Sequence, residues 1–159
     1  MDRRRTGLST LVRRFGQRKP ASAVREVLRS GGETVAAGLW GSAGALLLAA
    51  LAPSLRRPPT LVVTEDDNAA DDLKTDLRIF LDDEAAAREF PGFDQFEGNG
   101  QIFDFPTLAG RLTILQLLLD GAAPRFLVAP VAALLQPVPE PDDPFHFPGP
   151  GAPGLYRKP

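Results

Sequence analysis

Apolar positions along the chain fall into two periods. Leu73, Leu77 and Leu81 recur every four residues, with Phe80 beside them and Asp and Lys residues between. That spacing predicts an amphipathic helix over 69–81, and Asp66–Asn68 supply capping residues before it. Ala43–Leu51 predicts a helix from its Ala/Leu content, stopped by Pro53 and the RRPP run. Val24, Val27 and Leu28 have helical spacing within 23–29, and Gly31–Gly32 ends that segment. LAGRLTILQLLL (108–119) predicts another helix, closed by Asp120–Gly121. The other period is that of strands. TLVVT (60–64) is short, β-branched and uncharged, as a strand covered on both faces would be. Further strands are expected at 34–39, 88–90 and 125–129, with a short helix or turn at 131–135. Residues 91–107 look irregular, and no internal repeat is present.

Strand, helix, strand, helix, short strand, helix, strand is the order of an α/β domain: a mainly parallel sheet flanked by helices. At 159 residues the chain has room for about one such domain and a real core. There is no cysteine, and the single histidine is His146 in a Pro-rich tail. A disulfide frame, a thiolate metal site and a His-dependent triad are therefore not expected. Charge divides the chain more sharply. Arg3, Arg4, Arg5, Arg13, Arg14, Arg18 and Lys19 face Asp2 alone within 1–22, a net of +6, and the remainder carries −8. The expected organisation is a basic, disordered arm at 1–22 with a helical tendency around Leu8–Phe15, an α/β domain at 23–139 and an unstructured Pro/Gly-rich tail at 140–159.

Three clusters could carry chemistry. The first is GLWGSAGA (38–45), between an expected strand and an expected helix. A Walker phosphate loop reads G-x-x-x-x-G-K-S/T. With its first glycine on Gly38, the last three positions fall on Ala43, Gly44 and Ala45. Gly38, Gly41 and Ser42 keep the loop character, but no lysine meets a phosphate and no hydroxyl holds Mg²⁺. The segment is either a glycine-rich turn packed for close approach or a vestigial phosphate loop. The second cluster is Glu65, Asp66, Asp67, Asp71 and Asp72 after TLVVT, which could ligate a cation or favour a helix N-terminus. The third is Phe90, Phe93, Phe96, Phe103 and Phe105, a docking surface or a set of pins for an irregular connection.

Five segments in order give a more specific reading. They are GLWGSAGALLLAALA (38–52), TLVVTEDDNAADDLKTDLRIFL (60–81), EFPGFDQF (89–96), GRLTILQLLLDG (110–121) and FLVAPVAALLQPVP (126–139). Together they resemble the N-terminal module of the bacterial transcription-repair coupling factors, which is similar to the first domain of the excinuclease B helicase. The resemblance implies a degenerate P-loop NTPase-like domain that does not hydrolyse ATP, incomplete in this chain. Phe93 stands where that family often has Trp. For the full-length family it implies a cytoplasmic, ATP- and Mg²⁺-dependent DNA translocase of nucleotide-excision repair. That translocase displaces stalled RNA polymerase and recruits excision machinery. Its contacts with RNA polymerase, the excinuclease A protein and DNA lie mostly in regions absent here. This chain would then be a non-catalytic scaffold that binds no cofactor itself and whose partner is the rest of the coupling-factor chain.

Two other readings use different residues. The basic arm could bind nucleic acid through Arg3, Arg4, Arg5, Arg13, Arg14, Arg18 and Lys19. The uncharged run 34–55 has about the length of a spanning helix, although its Ala and Gly content drives insertion weakly.

Overall fold

A computed structural model describes residues 3–55, 59–93 and 104–138 of the chain. Its elements are α1 (Arg3–Gly16), α2 (Lys19–Arg29), α3 (Ala43–Leu51) with a 3₁₀ turn (Ala52–Ser54), β1 (Thr60–Thr64), α4 (Asp67–Leu81), β2 (Ala87–Glu89), α5 (Phe105–Leu119), β3 (Phe126–Pro130) and α6 (Val131–Leu134). The three strands form one parallel sheet in the order β1-β3-β2. The α/β expectation therefore holds, with three strands among the described residues.

Local chemistry sets the long helices. The Asp66 carboxylate accepts from the Ala69 N–H at 2.8 Å and caps α4. Asp82 ends it in the left-handed region at φ 52°. Asp104 does the same for the start of α5, accepting from the Thr107 N–H and the Thr107 hydroxyl. At its other end the Ala122 N–H reaches back to the Leu117 carbonyl across Gly121, whose φ is +70°.

Each face of the sheet carries its own core. Val62, Phe126, Val128 and Ala87 share one face and pack against Ala45, Leu48 and Ala52 of the α3 region and Ala70, Leu73 and Leu77 of α4. On the opposite face, Leu127 and Ala129 pack with Phe90, Ala133 of α6, and Ile114 and Leu115 of α5. All five β3 residues are buried. The strand covered on both faces is thus β3 rather than β1. β1 lies at an edge, and its Leu61 and Val63 remain 49% and 51% exposed on the α5 side.

Two further expectations need correction. Residues 3–16, expected within a disordered arm with helix only around 8–15, form α1 throughout. Phe15 of α1, with Ala21 and Val24 of α2, packs on Leu47 and Leu51 of α3. An amphipathic pattern gains its helix by docking an apolar stripe, even in a segment rich in arginine. The strand expected at 34–39 is not formed. Residues 31–42 lie exposed, Val35 at 92% and Trp40 at 86%, and no strand among the described residues pairs with them. A β-capable run becomes a strand only when a neighbour accepts its hydrogen bonds. This exposed stretch also divides the uncharged run 34–55, leaving nine residues of it in α3. Among the described residues no helix is long and apolar enough to cross a membrane. The expected tail, 140–159, lies outside the described residues.

Candidate functional site

The loop before α3 keeps glycine where its backbone turns. Gly38 and Gly41 have φ of +75° and +52°, a region that side chains other than glycine adopt with strain. Ser42 occupies the N-cap of α3, and its side chain makes no capping bond. Ala43 and Gly44 open the helix, and a Cβ added at Gly44 would meet nothing within 4 Å. Ala45 differs: it is buried in the cluster with Ala70 and Leu77. In this geometry the position aligned with the Walker hydroxyl faces the core rather than a phosphate. The loop also lacks the sheet strand that delivers a phosphate loop to its helix.

The carboxylates after β1 are placed structurally. Asp66 caps α4, and the Thr64 hydroxyl donates to the Asp66 carbonyl at 3.1 Å. Lys74 bridges Asp71 and Glu89 at 2.6 Å each, tying α4 to β2. Lys74 donating a hydrogen bond holds the Asp71 carboxyl below its ordinary pKa. Partial burial alone would lower the Lys74 pKa, but its bonds to the two carboxylates outweigh that and raise it. Glu65, Asp67 and Asp72 do not share this bridge, and Glu65 and Asp67 are exposed. Among the described residues no three His, Cys, Asp or Glu side chains group as a metal site.

The most constrained charged group escaped the sequence reading. Arg111 of α5 is 3% exposed, the one buried charged side chain among the described residues. It sits at the carboxyl end of the sheet, beyond β2 and β3. Its Nη1 donates to the Pro91 carbonyl at 2.8 Å and, at longer range, to the Ala133 carbonyl at 3.4 Å and Gln136 Oε1 at 3.3 Å. Its Nη2 donates to the Pro137 carbonyl at 3.3 Å. The guanidinium carbon lies 4.2 Å from the Phe90 ring centre and 5.0 Å from that of Phe93. Main-chain dipoles and two aromatic faces thus stand in for a carboxylate. Desolvation pulls the Arg111 pKa below its ordinary value. Gln136 completes the knot. Its Oε1 accepts from the Phe93 N–H at 2.8 Å, and its Nε2 donates to the Phe93 carbonyl at 2.9 Å, much as a neighbouring strand would. A readable signal existed: Arg111 lies in phase with the inward positions Ile114, Leu115 and Leu118.

Phe90 and Phe93 therefore pin the connection after β2. Phe105 is exposed, and Phe96 and Phe103 lie outside the described residues. Of the basic residues singled out, Arg13, Arg14, Arg18 and Lys19 are exposed around the α1–α2 junction. Arg3, Arg4 and Arg5 form the first turn of α1, and their side chains lie outside the described set, as does His146 entirely. The structure does not bring the loop at 38–45 together with any of these basic side chains through a hydrogen bond or ion pair among the described residues. No family model, curated protein or solved structure matches the chain.

Proposed function

We propose that the chain is a non-catalytic α/β module of the transcription-repair coupling-factor type, a degenerate P-loop NTPase-like domain acting as scaffold in DNA repair. The observation that carries this reading is the convergence on Arg111. Three of the five segments meet there: Phe90, Pro91 and Phe93 from EFPGFDQF, Arg111 from GRLTILQLLLDG, and Ala133, Gln136 and Pro137 from FLVAPVAALLQPVP. Residues that look like separate motifs in sequence serve one structural purpose. Gly44 and Ala45, offering neither ammonium nor hydroxyl, support the non-catalytic part. On this reading the module works in the cytoplasm with the rest of a coupling-factor chain. RNA polymerase, the excinuclease A protein and DNA are met mostly elsewhere, and ATP and Mg²⁺ are used elsewhere. The test is hydrolysis: purified chain with ATP and Mg²⁺ should release phosphate no faster than buffer. Mg²⁺-dependent turnover that survives repurification overturns the reading. So does a coding sequence that continues into something other than a translocase.

One observation favours a second reading, a nucleic-acid-binding role for the N-terminal helices. Arg13, Arg14, Arg18 and Lys19 are exposed, and none forms an ion pair among the described residues. Such a cluster binds backbone phosphates with strong salt dependence. Substituting all four by Gln should then abolish DNA binding and flatten its salt slope; binding that persists unchanged excludes this role.

A further inference from the structure

A cavity lies at the other end of the sheet from Arg111. It has a volume of about 580 Å³ and opens between α1, α2, the end of α3 and the turn after α4. Ligand pockets commonly enclose about 300–1,000 Å³, so its volume is in the range of small-molecule sites. Its walls are of two kinds. Small and apolar groups, among them Gly16, Ala50 and the Phe80 ring, form one part. Three arginines, Arg13 from α1, Arg25 from α2 and Arg125 just before β3, line another.

What these arginines already hold decides what the cavity can take. Arg25 Nη2 donates to the Gly16 carbonyl at the end of α1 at 2.8 Å. Arg125 Nη1 donates to the Ala52 carbonyl at the end of α3 at 2.9 Å. Each anchor uses one of five N–H donors and fixes the side chain beside the cavity. Arg13 makes no hydrogen bond or ion pair among the described residues. None of the three meets a carboxylate within salt-bridge distance among the described residues. Asp83 is the one acidic residue lining the cavity among the described residues, and its Oδ1 accepts from the Ala85 N–H. Three basic residues against one acidic among them favour an anion there. The planar fork of arginine matches the oxygens of a phosphate.

We propose that this cavity binds a small organic phosphate: a phosphomonoester whose oxygens meet Arg13, Arg25 and Arg125 and whose flat or apolar body lies toward Phe80 and the alanine wall. The site is separate from the loop at 38–45 and independent of the coupling-factor reading. Its role is to hold the phosphate, with no covalent step.

The experiment is calorimetric titration of the full chain with adenosine monophosphate, adenosine, inorganic phosphate and a short single-stranded DNA. Adenosine monophosphate should bind. Phosphate should bind about tenfold or more weakly for lack of the apolar body, and adenosine should give no measurable heat. Arg13→Gln and Arg125→Gln should each weaken the monophosphate by about tenfold. Arg13→Gln removes no internal bond, so its thermal unfolding should match the parent and separate lost binding from lost fold. Absence of heat with adenosine monophosphate overturns the proposal, as does equal binding of adenosine. Affinity indifferent to both substitutions, or binding of DNA alone, overturns it as well.

Discussion

Arginine does opposite things at the two ends of this sheet. At the carboxyl end, Arg111 is dry and enclosed by carbonyls, an amide oxygen and two aromatic rings. At the amino end, Arg25 and Arg125 each give one hydrogen bond to a helix-terminal carbonyl and line an open cavity with Arg13. The residue type is the same, but the supply of acceptors differs. Where the chain provides its own acceptors, the cation becomes a structural centre. Where it provides too few, the remaining donors face something that is not part of the chain.

The largest effect should come from breaking the first half of that contrast. Arg111→Met leaves the carbonyls of Pro91 and Pro137 without the guanidinium donor and should cost on the order of 3–5 kcal/mol in denaturant unfolding. Arg13→Gln should stay within about 0.5 kcal/mol of the parent in the same assay. Equal effects at the two positions would erase the distinction between the ends. Gln136→Ala removes both bonds to the Phe93 backbone and should cost about 1–3 kcal/mol, with faster amide exchange at Phe93 as the local readout. The start of α3 gives a smaller contrast within one loop. Ala45→Thr places a hydroxyl in the core and should cost about 1–2 kcal/mol. Gly44→Lys enters open space and should stabilise by up to about 1 kcal/mol through helix propensity, without restoring ATP turnover.

The smallest effect is a pH dependence in the Lys74 bridge. The folded Lys74 pKa lies above its ordinary 10.5, so its contribution is fully present below that value and fades as pH rises through the folded one. The folded Asp71 pKa lies below 3.8, so its contribution is present above that value and fades as pH falls through the folded one. Thermal unfolding followed across pH should show both slopes, and Lys74→Gln should flatten both. A parent-like profile in that variant would place the titration elsewhere.

Regular elements were legible where one physical signal sufficed. The 43–51 helix and the TLVVT strand have the expected bounds, and α4 and α5 extend the expected helices by two or three residues at their capped starts. These segments carry their own periodicity and caps. Features set by partners were not legible. TVAAGL has strand composition but no neighbour to pair with among the described residues, and the helical tendency at 8–15 did not reveal that α1 docks on α3. Arg111 drew no attention in the sequence because its acceptors, Pro91 and residues 133–137, lie some twenty residues or more away on both sides. The glycine spacing of 38–45 was visible, but the inward turn of Ala45 was not.

The strand order has a consequence for synthesis. β1 and β2 never pair with each other; both pair only with β3, the last of the three to leave the ribosome. A nascent chain that stops before Phe126 holds two strands with no ladder between them. Its helices would have to wait with apolar faces exposed, a state open to chaperones and aggregation. Arrival of five residues, Phe126–Pro130, then closes the sheet in one event. Vectorial synthesis should therefore give this module a late, all-or-none folding step rather than gradual assembly from the N-terminus.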